Sequence, residues 1–134
     1  MAELKTKRQN SGVTEFLTSI SDEGVRKDCQ TLADLMSRLT GDPGDMWGTS
    51  VAGFGQRRLT YATGRELDWF AMGFSPRKGK LTLYLGLNTL APMDDLLAKL
   101  GPHSLGKGCL YIKRLSSVDM DVLTEILRRA GNQS

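Results

Sequence analysis

The chain has 134 residues, 40% of them hydrophobic and 25% charged, with a formal net charge of +3. That size suits one domain with its own core, and the charge is too mild to demand a polyanionic partner. The opening stretch MAELKTKRQNS is charged and has no apolar leader segment, and no later apolar run is long enough to span a bilayer, so the sequence predicts a cytoplasmic protein with no membrane role.

In chain order, residues 1–12 read as a flexible polar tail and 13–131 as a single domain. Val13, Phe16, Leu17 and Ile20 share one face of a short helix. Ser21 is placed to cap a longer helix whose stripe is Val25, Cys29, Leu32, Met36 and Leu39, and Gly41 supplies the stop. After a turn cluster at Asp42 to Asp45, Trp47 to Phe54 reads as a first strand and Arg58 to Ala62 as a second.

The stretch from Leu67 to Leu87 reads as two strands joined by a basic turn. Phe70, Met72 and Phe74 alternate with Trp69, Ala71, Gly73 and Ser75, and Leu81, Leu83 and Leu85 alternate with Thr82, Tyr84 and Gly86, the period of a pleated strand. Pro76 and Gly79 suit a hairpin loop of about three to five residues. Pro92 to Leu100 has the signals of a short helix, with Asp94 and Asp95 in its first turn, and Gly101 to Gly108 is a glycine-rich loop. Cys109 to Lys113 is a fifth strand, and Ser117 is placed to cap a last helix carrying Val122, Leu123, Ile126, Leu127 and Ala130 on one side. This order predicts an α+β domain: a mainly antiparallel five-stranded sheet with the N-terminal and C-terminal helices packed on one face. Cys29 and Cys109 fall inside these patterns as reduced, mostly buried thiols.

Several stretches resemble chemical motifs without completing them. Gly101 to Lys107 has the spacing of a phosphate-cradling P-loop, but Gly108 stands where a magnesium-binding hydroxyl is required, and the loop runs from helix to strand rather than strand to helix. His103 is the only histidine, and no acid is placed to orient it, which leaves it a loop residue rather than a general base. The paired acids open helices or fill turns, and Asp22–Arg26, Glu23–Lys27 and Asp34–Arg38 each have the spacing of a helical ion pair. Acids outnumber bases from Glu15 to Asp45, whereas bases dominate from Arg57 to Lys80. No catalytic residues are predicted.

The mixed face of the sheet is the strongest candidate for binding. Trp69 and Tyr84 project there beside Ala71, Gly73 and Gly86, with Tyr111 from the fifth strand and Trp47 from the first, and small residues beside aromatics suit a concave apolar floor. Arg77, Lys78 and Lys107 supply neighbouring positive charge. The expected ligand-binding set is therefore Trp47, Trp69, Tyr84, Tyr111, Arg77, Lys78 and Lys107. The aromatic and basic interleaving also suits a single-stranded nucleic-acid platform, but the signature of an RNA-recognition motif is missing, which argues against nucleic acid.

Taken together, Met46-Trp47-Gly48, Gly53-Phe54-Gly55, Asp68-Trp69-Phe70, the run from Gly73 to Lys78, Leu81 to Tyr84 and the run from Gly106 to Ile112 resemble the bacterial YdhG-like family, a domain of unknown function, over about Thr14 to Arg128. The resemblance implies a compact α+β fold and no catalytic set. One branch of that family is linked to a frataxin-like iron-chaperone role, which would imply an acidic surface that binds iron weakly. The expected function is a non-enzymatic cytoplasmic binding module for a small anionic ligand or a partner protein, needing no cofactor. Iron chaperone and enzyme are the alternatives, and iron enters only under the first of them.

Overall fold

A computed structural model describes residues 8–9, 12–47, 50–55, 57–60, 64, 66–77, 80–86, 93–106 and 108–132. The fold is α+β with antiparallel pairing throughout. The strands are β1 (Arg8–Gln9), β2 (Asp45–Trp47), β3 (Val51–Phe54), β4 (Arg57–Thr60), β5 (Glu66–Trp69), β6 (Met72–Arg77), β7 (Lys80–Tyr84), β8 (Ser104–Leu105) and β9 (Cys109–Ile112). The helices are α1 (Val13–Thr18), α2 (Glu23–Thr40), α3 (Asp94–Leu100) and α4 (Met120–Asn132). The main sheet has seven strands in the order β1-β2-β3-β6-β7-β9-β8, and β4 and β5 form a separate two-stranded ribbon. The expected five-stranded sheet is thus too small. Trp47 to Phe54 falls on two antiparallel strands, β2 and β3, rather than one, while Arg8–Gln9, within the expected tail, and Ser104–Leu105, within the expected loop, pair at opposite edges.

The ribbon and the sheet are parts of one long hairpin. Phe54 pairs with Met72 and Arg57 with Trp69, so the register runs on unbroken while both strands bend between these pairs. Gly55 makes the bend on one side with φ +76, and a Cβ there would lie 2.9 Å from the Cβ of Ala71 on the other. The bend redirects Phe70. Strict alternation would place it with Met72 and Phe74, but its ring lies on the opposite face, beside Gly53 and Gly73. The next hairpin is tighter than expected, since Arg77 pairs with Lys80 and leaves a two-residue loop. Pro76 is tolerated inside β6 because its nitrogen faces the flank where β3 has already ended.

α2 and α4 cover one face of the sheet, both lying against β6. From the sheet come Met46, Ala52, Phe54, Met72, Phe74, Leu81, Leu83, Leu110 and Ile112, and from the helices Cys29, Leu32, Met36, Leu123, Ile126, Leu127 and Ala130. Burying each large aliphatic or aromatic side chain contributes about 1.5–3 kcal/mol, which is why these alternating and helical stripes determine the layering. α2 starts at Asp22 rather than Ser21: its Oδ1 accepts the Val25 amide at 2.9 Å, and Gly41, at φ 71, closes the other end with its N–H on Ser37 O. At α4 the cap is Asp119, whose Oδ1 accepts the amides of Asp121 and Val122, while Ser117 belongs to a short 3-10 turn, Leu115–Ser117. Among the described residues no helix is long and apolar enough to cross a membrane.

On the face away from the helices, Ser75 is fully buried opposite Thr82, and its Oγ has no hydrogen-bond partner. A buried hydroxyl without a partner opposes folding. Ser75→Ala is therefore expected to raise stability by about 1 kcal/mol, read as a higher urea midpoint at constant m-value; a comparable loss would show that the hydroxyl is bonded.

Candidate functional site

The second sheet face brings together part of the expected binding set. Trp47, at the end of β2, meets Phe70 edge-on with ring centroids 5.4 Å apart, and Phe70 meets Tyr84 in the same manner at 6.3 Å. Gly53 and Gly73 do not leave room beside these rings. A Cβ at Gly53 would lie 2.6 Å from Trp47 Cδ1, and one at Gly73 would lie 3.0 Å from Phe70 Cε1 and 2.7 Å from the Ala52 carbonyl. The glycines are there because the rings lie directly on the strand backbone. Trp47 and Phe70 are buried, so this end of the face is a second small core and not an open floor. Trp69 ends β5 opposite Arg57, and its side chain lies outside what the structure describes.

Toward the β6–β7 turn the same face becomes basic. Arg77 reaches back along the sheet to donate to Tyr84 Oη at 2.9 Å, which further raises the already high pKa of its guanidinium. Lys80 Nζ stands 4.3 Å above the centre of the Tyr111 ring, a cation–π contact that holds the ammonium against the sheet. Lys78 and Lys107 lie outside the described residues.

Two clefts open at this end. The larger, of about 530 Å³, lies between β8–β9 and the chain before α4, and Lys80, Lys113, His103, Tyr111, Ser104 and Ser117 line it. Pro102 and Ile112 add apolar wall. His103 Nδ1 lies 2.7 Å from the Gly101 carbonyl, which can only accept, so Nδ1 carries the proton. Its other nitrogen, Nε2, is left to meet a ligand, as an acceptor in neutral imidazole and as a donor in imidazolium. Ser117 Oγ donates to the Arg114 carbonyl at 2.7 Å. Among the described residues no carboxylate lines this cleft. The smaller cleft, of about 310 Å³, shares Lys80 and Lys113 and adds Arg77 and Arg114, with Asp22 the one acid among the described residues that line it.

Of the expected set, Tyr111 lines the larger cleft and Arg77 the smaller, whereas Trp47 and Tyr84 belong to the aromatic row. His103 reads as an ordinary loop residue in sequence. Its place in the cleft follows from the pairing of Ser104 with Tyr111, a two-residue contact that leaves no period to detect.

Three acids at the start and in the first half of α2 are already engaged. Asp22 caps the helix, Glu23 pairs with Lys27 at 3.3 Å, and Asp28 accepts Arg114 Nε at 2.6 Å and the Leu115 amide at 3.1 Å. Among the described residues no three of His, Cys, Asp and Glu converge as a metal site would require. Cys29 is a core thiol, pushed up to about 12 by burial and then by the neighbouring Asp28 charge. Burial also raises Cys109, against a hydrogen bond from Tyr111 that lowers it. Neither thiol has the lowered pKa of a nucleophile.

Compared with known proteins, the chain matches no family model, no curated protein and no solved structure. The likeness to the YdhG-like family rests on its motifs alone.

Proposed function

We propose that the chain is a cytoplasmic, non-enzymatic binding module of the YdhG-like type that holds a small anionic ligand in the larger cleft. The observation that carries this reading is the lining itself: two ammonium groups and the only imidazole face one concave space with no carboxylate among the described residues that line it. An anion entering it meets the Lys80 ammonium, already held in place by the Tyr111 ring, while His103, whose Nδ1–H is engaged by the Gly101 carbonyl, donates from Nε2 only as imidazolium. The apolar part of the wall, Pro102 and Ile112, suits a ligand with a hydrocarbon or ring body as well as a charge.

Titration with inorganic phosphate, followed by two-dimensional NMR of the backbone amides, tests the reading. Saturable shifts are expected at 103–104 and 111–113, and Lys113→Ala should weaken binding about tenfold, since one hydrogen bond to a charged group is worth that factor. An absence of saturable shifts at those positions at low ionic strength would remove the small-anion reading and leave a partner protein as the occupant to seek.

A further inference from the structure

The larger cleft does not end at Lys80 and Lys113, because both also line the smaller one. The two spaces therefore adjoin along this pair of ammonium groups, and they differ in character. On the outer side lie the Tyr111 ring, Pro102 and Ile112 with the His103 imidazole. On the inner side lie two guanidinium groups, Arg77 and Arg114. Among the described residues four cations line the combined space against Asp22, whose Oδ1 is already taken by the Val25 amide. Arg77 uses one donor on Tyr84, and Arg114 uses Nε on Asp28. A guanidinium has five donors, so both keep several for an incoming anion. The amino end of the 18-residue helix α2 is at the same place and adds positive potential there.

A single anionic group would use only part of this arrangement. From it we infer that the ligand is a nucleoside polyphosphate, with its ring body in the larger cleft and its phosphate chain running across Lys80 and Lys113 to Arg77 and Arg114. The planar body lies along Tyr111, Pro102 and Ile112, and the His103 Nε2 is available to its polar edge. The phosphate chain bridges the ammonium pair and ends on the two guanidiniums, which match phosphate oxygens in planar pairs where lysine offers a point charge. The inference rests on the small-anion reading of the larger cleft and adds the second cleft to it.

Calorimetry on the full chain at low ionic strength, without divalent cations, tests the inference with ATP, AMP, adenosine, tripolyphosphate and inorganic phosphate as the actual probes. ATP should bind at least about tenfold more tightly than AMP, one further charge-assisted contact accounting for that factor. It should also bind more tightly than tripolyphosphate, because the ring body contributes. Arg77→Ala should erase most of the difference between ATP and AMP while leaving AMP binding nearly unchanged. Arg77 is exposed at the end of β6, and circular dichroism verifies that the variant is folded. If it is not, Arg77→Lys takes its place: it keeps the charge and loses the planar match, so the ATP preference should shrink. Equal affinities for ATP and AMP would overturn the inference and leave the small-anion reading standing. Equal affinities for ATP and tripolyphosphate would overturn the nucleoside part. Failure of every probe, inorganic phosphate included, would overturn both.

Discussion

Phe70→Ala is expected to lower the stability of the fold by about 3–5 kcal/mol, the usual cost of truncating a buried aromatic and a large share of a small domain's total. The ring is 4% exposed and lies between Trp47 and Tyr84. Beneath it are Gly53 and Gly73, which have no side chains that could move into the space. A site with a glycine floor collapses poorly after truncation, so the cavity term adds to the lost transfer energy. Phe70→Leu, which keeps most of the volume, should recover more than half of the loss. Urea unfolding with unchanged m-values measures both variants. A loss under about 1.5 kcal/mol for the Ala variant would mean that this end of the sheet is solvated and that the aromatic row is not a core.

Phe70 also shows how far the sequence could be read. Its alternation with Met72 and Phe74 is sound, and the register on both sides of it obeys one hairpin. What alternation cannot reveal is the bend opposite Gly55, which turns Phe70 to the other face while leaving every pairing in phase. The helices were more legible. Each has a stripe of period 3.6 and an identifiable stop or cap, and the caps fall at Asp22 and Asp119, one and two residues from the predicted serines, because in each place an acid with the right reach stands nearer the helix. Strands of two residues, β1 and β8, have no period at all and become visible only through their partners. The candidate site suffered most from this, since β8 is what brings His103 beside Tyr111. The basic turn was readable as charge; its division into an outer cleft with apolar wall and an inner cleft with guanidiniums depends on where α2 and the segment before α4 pack.

Asp28→Ala should cost about 1–3 kcal/mol, and the source of that cost bears on what the α2 acids do. Asp28 Oδ2 accepts the Leu115 amide in a buried position, and Ala would leave that N–H without an acceptor. The ion pair with Arg114 adds less. Arg114 is 44% exposed on its side chain while Asp28 is 12% exposed, so solvent screens the pair from one side. Asp28→Asn separates the two contributions, because its amide oxygen can still accept from Leu115 while the charge is gone; it should retain most of the stability that Ala loses. Both variants remove a negative charge near Cys29, but burial, the larger cause of its raised pKa, remains. The thiol should therefore stay unreactive in the folded protein. The full loss should appear in protein stripped of metal with a chelator, since the partners of this carboxylate are a guanidinium and an amide. If Asp28→Ala matched the wild type in chelator and fell below it only when ferrous iron was present, the carboxylate would be a metal ligand and the iron-chaperone alternative would regain its ground.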